Sequence, residues 1–138
     1  MAMINQLAKY INFPVRGDER GSLIALESNQ DVPFDIQRVY YIFATKENVS
    51  RGYHAHKALK QVAICVKGSC RFVLDDGVER QEFYLDTCTG GILIESMVWR
   101  EMHDFSDDCV LLVLASEHYD ESDYIRNYDE FLSLANKA

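Results

Sequence analysis

The sequence predicts an all-β jelly-roll barrel, in a single domain, that ends in one short helix. Short runs rich in Val, Ile, Tyr and Phe recur along the chain, and turn-forming residues separate them. The clearest turns are Gly68-Ser69, Asp75-Asp76-Gly77 and Gly90-Gly91, and an Asp-Gly pair is typical of a β-hairpin. Because no long helical period interrupts these runs, we expect antiparallel strands that close into a sandwich or barrel.

Seven runs are the predicted strands. Each contains β-branched or aromatic residues and is bounded by turn chemistry. In chain order they read GSLIALES, IQRVYYIFAT, QVAICVKG, CRFVLDDG, RQEFYLD, GGILIES and CVLLVLAS.

The last stretch, SDYIRNYDEFLSLANKA, is the predicted helix. Ser122 stands at its start as a candidate N-cap. Apolar residues then recur at three- and four-residue spacing, which is typical of an amphipathic helix. They are Tyr124, Ile125, Tyr128, Phe131 and Leu132.

Length and composition predict one globular domain spanning residues 1–138. The chain has 48% apolar and 26% charged residues, and no apolar run approaches the roughly 18 residues that a membrane span needs. The N-terminal MAMINQLAKYINF lacks the basic flank and apolar core of a secretion signal. We therefore expect a cytoplasmic protein with no membrane partner.

The cysteines indicate the redox state of the protein, and the net charge limits which ligands it can bind. None of the four cysteines forms a CxxC pair, and Cys65, Cys70 and Cys109 lie in apolar runs, so we expect reduced, buried thiols. The formal charge of −8 argues against nucleic-acid binding through a basic face. A local arginine cluster can still bind an anionic small ligand.

The segment RGYHAHKALKQ carries the candidate catalytic pair, His54 and His56. Residues two apart in a strand face the same side, so both imidazoles are expected to point into the barrel. They could be core histidines, metal ligands or proton-transfer groups. Because unpaired buried polar groups cost about 1–3 kcal/mol each, we favour proton transfer.

The spacing around this pair resembles the first motif of the cupin superfamily, which runs here from Gly52 through the histidines to Gly68. Metal-binding cupins place Glu where this chain has Gln61, and a third histidine where we align Arg100. A neutral amide is a poor ligand, and a guanidinium repels a divalent cation. His103 should face the opposite side of its strand. We therefore predict a site with no metal and no other cofactor.

Five longer stretches resemble the sugar 3,4-ketoisomerases, the cupin family also called WxcM-like. The likeness extends from about residue 16 to residue 132. The stretches are DVPFDIQRVYYIF, RGYHAHKALKQV, GSCRFVLDDG, VWREMHDFSDDCVLLVLAS and YDESDYIRNYDEF.

This resemblance implies that the keto group of dTDP-4-keto-6-deoxyglucose moves from C4 to C3 through an enediol. The 3-keto product would supply 3-amino-3,6-dideoxyhexose biosynthesis, as in lipopolysaccharide O-antigens. It also implies a homodimer with exchanged N-terminal strands. By position, His54 matches the family's proposed base and His56 its partner.

The chemistry suggests further substrate-binding residues. An enediolate needs donors, for which Arg51 and either Tyr40 or Tyr41 are candidates, the other tyrosine of the pair being core. A pyrophosphate favours bidentate cations, and a thymine ring needs a planar surface. The candidates for binding the pyrophosphate are Arg20, Arg38 and Arg51. The candidates for stacking on the thymine ring are Trp99 and Tyr124. Arg100 is a lumen residue that could influence the C4 configuration of the product.

Three alternatives remain open. A 3,5-epimerase of the same substrate would also use a histidine base in a cupin barrel, but its base is usually paired with an aspartate, and the sequence shows no such pair. A non-catalytic cupin would only bind the nucleotide sugar. A metal-dependent oxygenase or isomerase would need ligands that Gln61 and Arg100 do not supply.

Overall fold

The computed structural model describes residues 6–136, and its main body is two five-stranded antiparallel sheets. The strands are β1 Ala8–Asn12, β2 Arg16–Asp18, β3 Gly21–Leu23, β4 Arg38–Ile42, β5 Arg51–His56, β6 Gln61–Lys67, β7 Cys70–Asp75, β8 Arg80–Leu85, β9 Gly90–Ile94, β10 Trp99–His103, β11 Val110–Ala115 and β12 Tyr124–Ile125. The first sheet has the order β1-β9-β6-β11-β4, and the second has the order β12-β5-β10-β7-β8. Strands β2 and β3 form a separate hairpin. The predicted all-β class is confirmed.

The main core lies between the two sheets. Alternate residues of β6, such as Ala63 and Cys65, point into it together with Phe72 of β7 and Leu111 of β11. Residues of the opposite parity, Val62 and Ile64, point to the other face of the first sheet, where the segment 13–36 covers them. Because β6 is buried on both faces, its sequence is a continuous apolar run.

The chain ends in a helix that is shorter than predicted. The helix α1 spans Tyr128–Ala135, and its N-cap is Asn127, whose side chain accepts the N–H of Glu130. Ser122 is therefore not the cap. It lies in the 3₁₀ helix Glu121–Asp123, which leads into β12. The start of the predicted helix is thus extended, because Tyr124 and Ile125 pair with β5.

Two other predictions from the sequence are settled by burial. Cys65, Cys70 and Cys109 are free and buried, as expected, whereas Cys88 is free and exposed. The sequence predicts that one tyrosine of the Tyr40–Tyr41 pair faces the lumen and the other lies in the core, but the side chain of Tyr41 is 62% exposed. Tyr40 points inward from β4 and packs against the main core.

No helix among residues 6–136 is long and apolar enough to cross a membrane. Residues 1–5, which include the start of the segment judged to lack a secretion signal, lie outside the described residues. Residues 137 and 138, the end of the predicted helical stretch, lie outside them as well.

Candidate active site

A cavity of about 540 Å³ opens at one end of the barrel, where β4, β5, β10 and the segment around β12 meet. Its lining combines one imidazole, three guanidinium groups and three tyrosines. The lining residues are Arg38, Tyr40, Ile42, Arg51, Gly52, His54, Met102, Tyr119, Tyr124 and Arg126. Five of the nine predicted site residues, His54, Arg38, Tyr40, Arg51 and Tyr124, therefore share one cavity.

A β-bulge places His54 in this cavity. Arg100 pairs with His54, but the next residue of β10, Glu101, pairs with Gly52, so that Tyr53 is an extra residue in β5. Gly52 and Tyr53 both have positive φ, 93° and 60°. A Cβ atom at Gly52 would lie 3.0 Å from the carbonyl oxygen of Arg100, so only glycine fits there. The bulge ends regular pairing beside the imidazole and points Tyr53 toward solvent.

His56 lies behind His54 and does not line the cavity. The two ring centroids are 4.9 Å apart, and His56 is fully buried. Its Nδ1 lies 3.1 Å from Oδ2 of Asp123, whose Oδ1 accepts the backbone N–H of Ala58. Both imidazoles were expected to point into the barrel, but only His54 reaches the cavity, because Tyr124 packs on the His56 ring at 4.4 Å.

Both imidazoles are held in the neutral form. Burial, followed by the charge of Arg100, lowers the pKa of His54 to about 4 and that of His56 to about 2. Nδ1 of neutral His56 can donate its proton to Asp123, so this contact is a hydrogen bond that fixes the tautomer. His54 is accordingly free to accept a proton at neutral pH.

Arg100 is buried in the barrel wall and does not line the cavity. It is 1% exposed, and its Nη1 donates to Oε1 of Gln61 at 2.7 Å. Gln61 in turn donates from Nε2 to the hydroxyl oxygen of Tyr40 at 3.0 Å. The expected influence of Arg100 on the C4 configuration therefore stays a prediction, and in this chain Arg100 would act through Gln61 and Tyr40.

The same contacts decide which groups could hold a metal. In metal-dependent cupins the positions of Gln61 and Arg100 supply ligands, but here a cation and a neutral amide bond to each other. A guanidinium has no lone pair to offer and repels a divalent cation. The donor set at this site therefore does not fit a transition metal. Within residues 6–136, the group with suitable metal donors is Cys65, Cys70 and Cys109, all buried in the main core.

Cations and aromatic rings surround the cavity entrance. Arg126 lies 4.2 Å from the ring centroid of Tyr124, and Arg38 lies 5.3 Å from that of Tyr40. Arg126 is paired with Glu121, but among residues 6–136 Arg38 and Arg51 have no carboxylate within ion-pair distance. Unpaired guanidinium groups at a cavity favour an anionic ligand despite the net charge of −8.

Two predicted binding residues lie elsewhere in this chain. Trp99 is 3% exposed and packs edge-on against Tyr128 in the cluster under α1, so it cannot stack on a ligand in the cavity. This prediction is wrong, because β10 presents Trp99 to the helix and not to the lumen. Arg20 lies at the tip of the β2–β3 hairpin, where its side chain is 85% exposed and pairs with Asp18.

Sequence reasoning missed Arg126, Tyr119 and Asp123. All three follow β11. Asp123 and Arg126 lie in the stretch predicted to be helical, and Tyr119 lies in a stretch for which no element was predicted. No local signal marked them, because acidic residues such as those in DESDYIR are common at the start of a helix. The local pairing of Tyr124 with His56 brings these residues to the cavity.

Comparisons with known proteins identify the family. The family described as FdtA, WxcM-like, C-terminal, matches residues 6–136. A TDP-4-oxo-6-deoxy-alpha-D-glucose-3,4-oxoisomerase from Aneurinibacillus thermoaerophilus is 58% identical over 123 residues, covering 89% of this chain and 88% of that protein.

Solved structures agree with this family. A 3,4-ketoisomerase from Helicobacter canadensis is 50% identical, with a TM-score of 0.91, covering 94% of this chain and 97% of the other. A variant of the 3,4-ketoisomerase QdtA from Thermoanaerobacterium thermosaccharolyticum, in complex with TDP-4-keto-6-deoxyglucose, is 46% identical with a TM-score of 0.93 and covers 97% of each chain. A 4-keto-6-deoxy sugar epimerase from Streptomyces spheroides is only 18% identical, which shows a shared fold alone. The family predicted from the sequence is thus confirmed: the chain belongs to the WxcM-like family that includes the sugar 3,4-ketoisomerases.

Proposed function

We propose that this protein is a metal-independent 3,4-ketoisomerase that converts dTDP-4-keto-6-deoxy-D-glucose into a dTDP-3-keto-6-deoxyhexose. The observation that carries the proposal is His54, a neutral imidazole in a cavity that also holds the guanidinium groups of Arg38, Arg51 and Arg126. A base beside a cluster of cations suits deprotonation of a sugar that carries a pyrophosphate. The 58% identical oxoisomerase supports the same reaction.

The reaction needs one base and one hydrogen-bond donor. His54 removes the proton from C3, the C–H electron pair forms a C3–C4 double bond, and O4 takes up negative charge and then a proton. The O3 hydroxyl next loses its proton, C3–O3 becomes the carbonyl, and His54 returns a proton to C4. Tyr40, in the same cavity, is placed to donate to the enediolate oxygens. A single base serves both carbons because His56 is closed off behind it.

The nucleotide part of the substrate would occupy the outer cavity. Arg38, Arg51 and Arg126 supply guanidinium groups for the pyrophosphate. Tyr119 and Tyr124, with ring centroids 5.7 Å apart, offer planar surfaces for the thymine ring. Of the two candidates for stacking, Tyr124 lines the cavity and Trp99 does not, which supports Tyr124 for this role.

The test is a proton NMR time course of dTDP-4-keto-6-deoxyglucose with chelator-treated protein in D₂O. We expect a 3-keto product, with solvent deuterium at C4 to the extent that the proton on His54 exchanges. Deuterium at C5 would instead indicate a 3,5-epimerase, and unchanged substrate would indicate a binding protein. Loss of turnover on chelation, restored by a divalent metal, would contradict metal independence.

The epimerase alternative is favoured by one observation, the histidine and aspartate pair of His56 and Asp123. That pair, however, includes the imidazole that does not line the cavity, and His54 has no carboxylate partner among residues 6–136. The NMR experiment separates the two reactions directly, because an epimerase labels C5 and leaves the carbonyl at C4.

We further propose a homodimer with exchanged N-terminal strands, acting in the cytoplasm, where thiols such as Cys65 stay reduced. Edge strand β4 exposes Val39 and Tyr41 on one side, and Phe43 follows at 65% exposure, which supports a covered surface. In the proposed dimer, the exposed Arg20 of one chain would lie near the partner chain, where it could bind the pyrophosphate of the partner's substrate.

The exchange can be tested by crosslinking β1 to β9. In the single chain Lys9 lies opposite Leu93, so Lys9→Cys with Leu93→Cys, in a Cys88→Ser background, should form a disulfide across this pair. A covalent dimer on a non-reducing gel supports exchange. A covalent monomer shows that β1 stays on its own chain, and light scattering reports the mass of the native assembly.

A further inference from the structure

Arg100 is a buried cation that no carboxylate contacts directly among residues 6–136, although the charge of Asp123 reaches it. Its side chain donates to Oε1 of Gln61 and, at 2.9 Å, to the carbonyl oxygen of Val98, and its Nε has no partner. Within residues 6–136 it takes part in no ion pair at all. Burial lowers the pKa of Arg100 only to about 10, so the group stays charged at neutral pH. A buried charge that forms no direct ion pair favours negative charge on any group that its field reaches.

The direction of the hydrogen bonds from Arg100 is forced. A guanidinium can only donate, so the oxygen of the Gln61 amide must face it and the amide nitrogen must face away. That nitrogen donates to the hydroxyl oxygen of Tyr40. The single proton of Tyr40 cannot then lie on this bond and must be directed elsewhere.

The cavity is where that proton can go. Tyr40 lines it together with His54, whereas the rest of the Tyr40 ring packs against the main core and under Arg38. Burial raises the pKa of the Tyr40 hydroxyl, so it remains protonated and able to donate. The hydrogen bonds from Arg100 to Gln61 and from Gln61 to Tyr40 therefore all point the same way, from the barrel wall toward the cavity.

We propose that Gln61 is a positioning residue that locks Tyr40 as a donor toward the reacting sugar oxygens and couples it to the charge of Arg100. This inference rests on the proposed ketoisomerase function. Gln61 is 3% exposed and does not line the cavity, so it acts only through Tyr40. It explains why an amide, and not the carboxylate of metal-binding cupins, stands at this position.

A glutamate at position 61 would have nearly the same shape as Gln61 but would reverse the hydrogen bond to Tyr40. Its carboxylate would accept from Arg100 and also from the hydroxyl of Tyr40, because a carboxylate has no proton to donate. The Tyr40 proton would turn away from the cavity, and the charge of Arg100 would be neutralised. The fold should tolerate the change, because the new group forms an ion pair in place of a neutral hydrogen bond.

The experiment compares Gln61→Glu with wild type and with Gln30→Glu, a control with the same chemical change at an exposed turn. Removal of one such donor costs about 10²–10³-fold in kcat in other enzymes, and we expect a loss of that size for Gln61→Glu, with TDP affinity and KM within about threefold of wild type. Gln30→Glu should match wild type in each measurement.

A second readout does not depend on turnover. Carbon-13 labelling of tyrosine Cζ, with the Tyr40 signal assigned from Tyr40→Phe, reports the titration of this hydroxyl. The pKa of Tyr40 should be higher in Gln61→Glu than in wild type, because a carboxylate replaces a donor. An unchanged Tyr40 titration, or an unchanged kcat in an active enzyme, would overturn the inference. If wild type fails to isomerise the sugar, the proposed function falls, while the titration still decides the relay.

Discussion

Strand β6 joins two buried regions of opposite character. Gln61, at its start, lies in a polar region with Arg100, Tyr40 and His56. Cys65, four residues and about 13 Å further along, lies against Cys70 at 3.7 Å and Cys109 at 3.6 Å, among apolar side chains. Both residues point into the same barrel interior, so the difference between these regions is chemical and not topological.

Unpaired polar atoms are found in only one of these regions. Among residues 6–136, the buried side-chain nitrogens without a partner are Nε of Arg38, Nδ1 of His54, Nε2 of His56 and Nε of Arg100. All belong to the polar region. Each such atom costs about 1–3 kcal/mol of stability, whereas thiols pack as small apolar groups. The unpaired atoms of the polar region thus lower the stability of the fold, and we expect that they are kept for the reaction. Substitutions in this region should therefore change activity more than folding.

The largest expected effect is on turnover, from His54→Asn. Removing the one imidazole that lines the cavity should lower kcat by about 10⁴-fold, the upper end of general acid–base contributions. Folding should be retained, because the variant removes a buried group with an unpaired nitrogen. Steady-state kinetics and a thermal melt measure the two quantities.

His103→Asn is the matched control. This imidazole is held between Ser50 and Glu101, outside the cavity, so its loss should leave kcat within about twofold of wild type. Comparable losses in both variants would remove His54 from its role as base.

In the thiol region the expected effect is on stability. Cys65→Ser places a hydroxyl in a site that is 1% exposed and should lower the free energy of unfolding by about 1–3 kcal/mol, with kcat unchanged. Urea denaturation measures this difference. Cys88→Ser, at the exposed cysteine, should be neutral. A loss of activity in folded Cys65→Ser would show that the two regions are coupled.

The polar region should also make stability depend on pH. The pKa of His56 is lowered to about 2 in the folded chain and is near 6.5 when unfolded, so below pH 6.5 the unfolded state binds more protons. The free energy of unfolding should therefore fall as pH drops from 7 to 5, approaching about 1.4 kcal/mol per pH unit for each such group. His56→Asn should have a shallower slope in urea titrations at pH 7, 6 and 5. Parallel slopes would mean that His56 is charged in the folded protein.

The sequence predicted the barrel and placed the two histidines on one strand, because both depend on short-range patterns. Alternation and turns define the strands, and the spacing of His54 and His56 places two imidazoles on one strand face. The bulge at Tyr53 could not be predicted, because it depends on pairing with β10. That bulge and the ring of Tyr124 separate the cavity histidine from the buried one.

The roles of the remaining residues depend on contacts between distant parts of the chain. Asp123 reaches His56 from 67 residues away, and Tyr128 and Phe131 draw Trp99 away from the lumen. Residue type alone gave no reason to prefer Arg126 over Arg20 at the cavity. Only the pairing of β12 with β5 makes that choice.

The smallest expected effect tests the placement of Trp99. Trp99→Phe keeps an aromatic ring against Phe131 and loses the hydrogen bond that the indole N–H donates to Glu101 at 3.1 Å, which should cost about 1 kcal/mol of stability. KM for the nucleotide sugar should stay within twofold of wild type. Tyr124→Leu is the contrasting variant: it removes a ring that lines the cavity and should raise KM roughly tenfold, since stacking of a base on an aromatic ring contributes about 1–3 kcal/mol. If Trp99→Phe raised KM as much as Tyr124→Leu does, the nucleotide would have to contact the cluster under α1, and the cavity would not be the binding site.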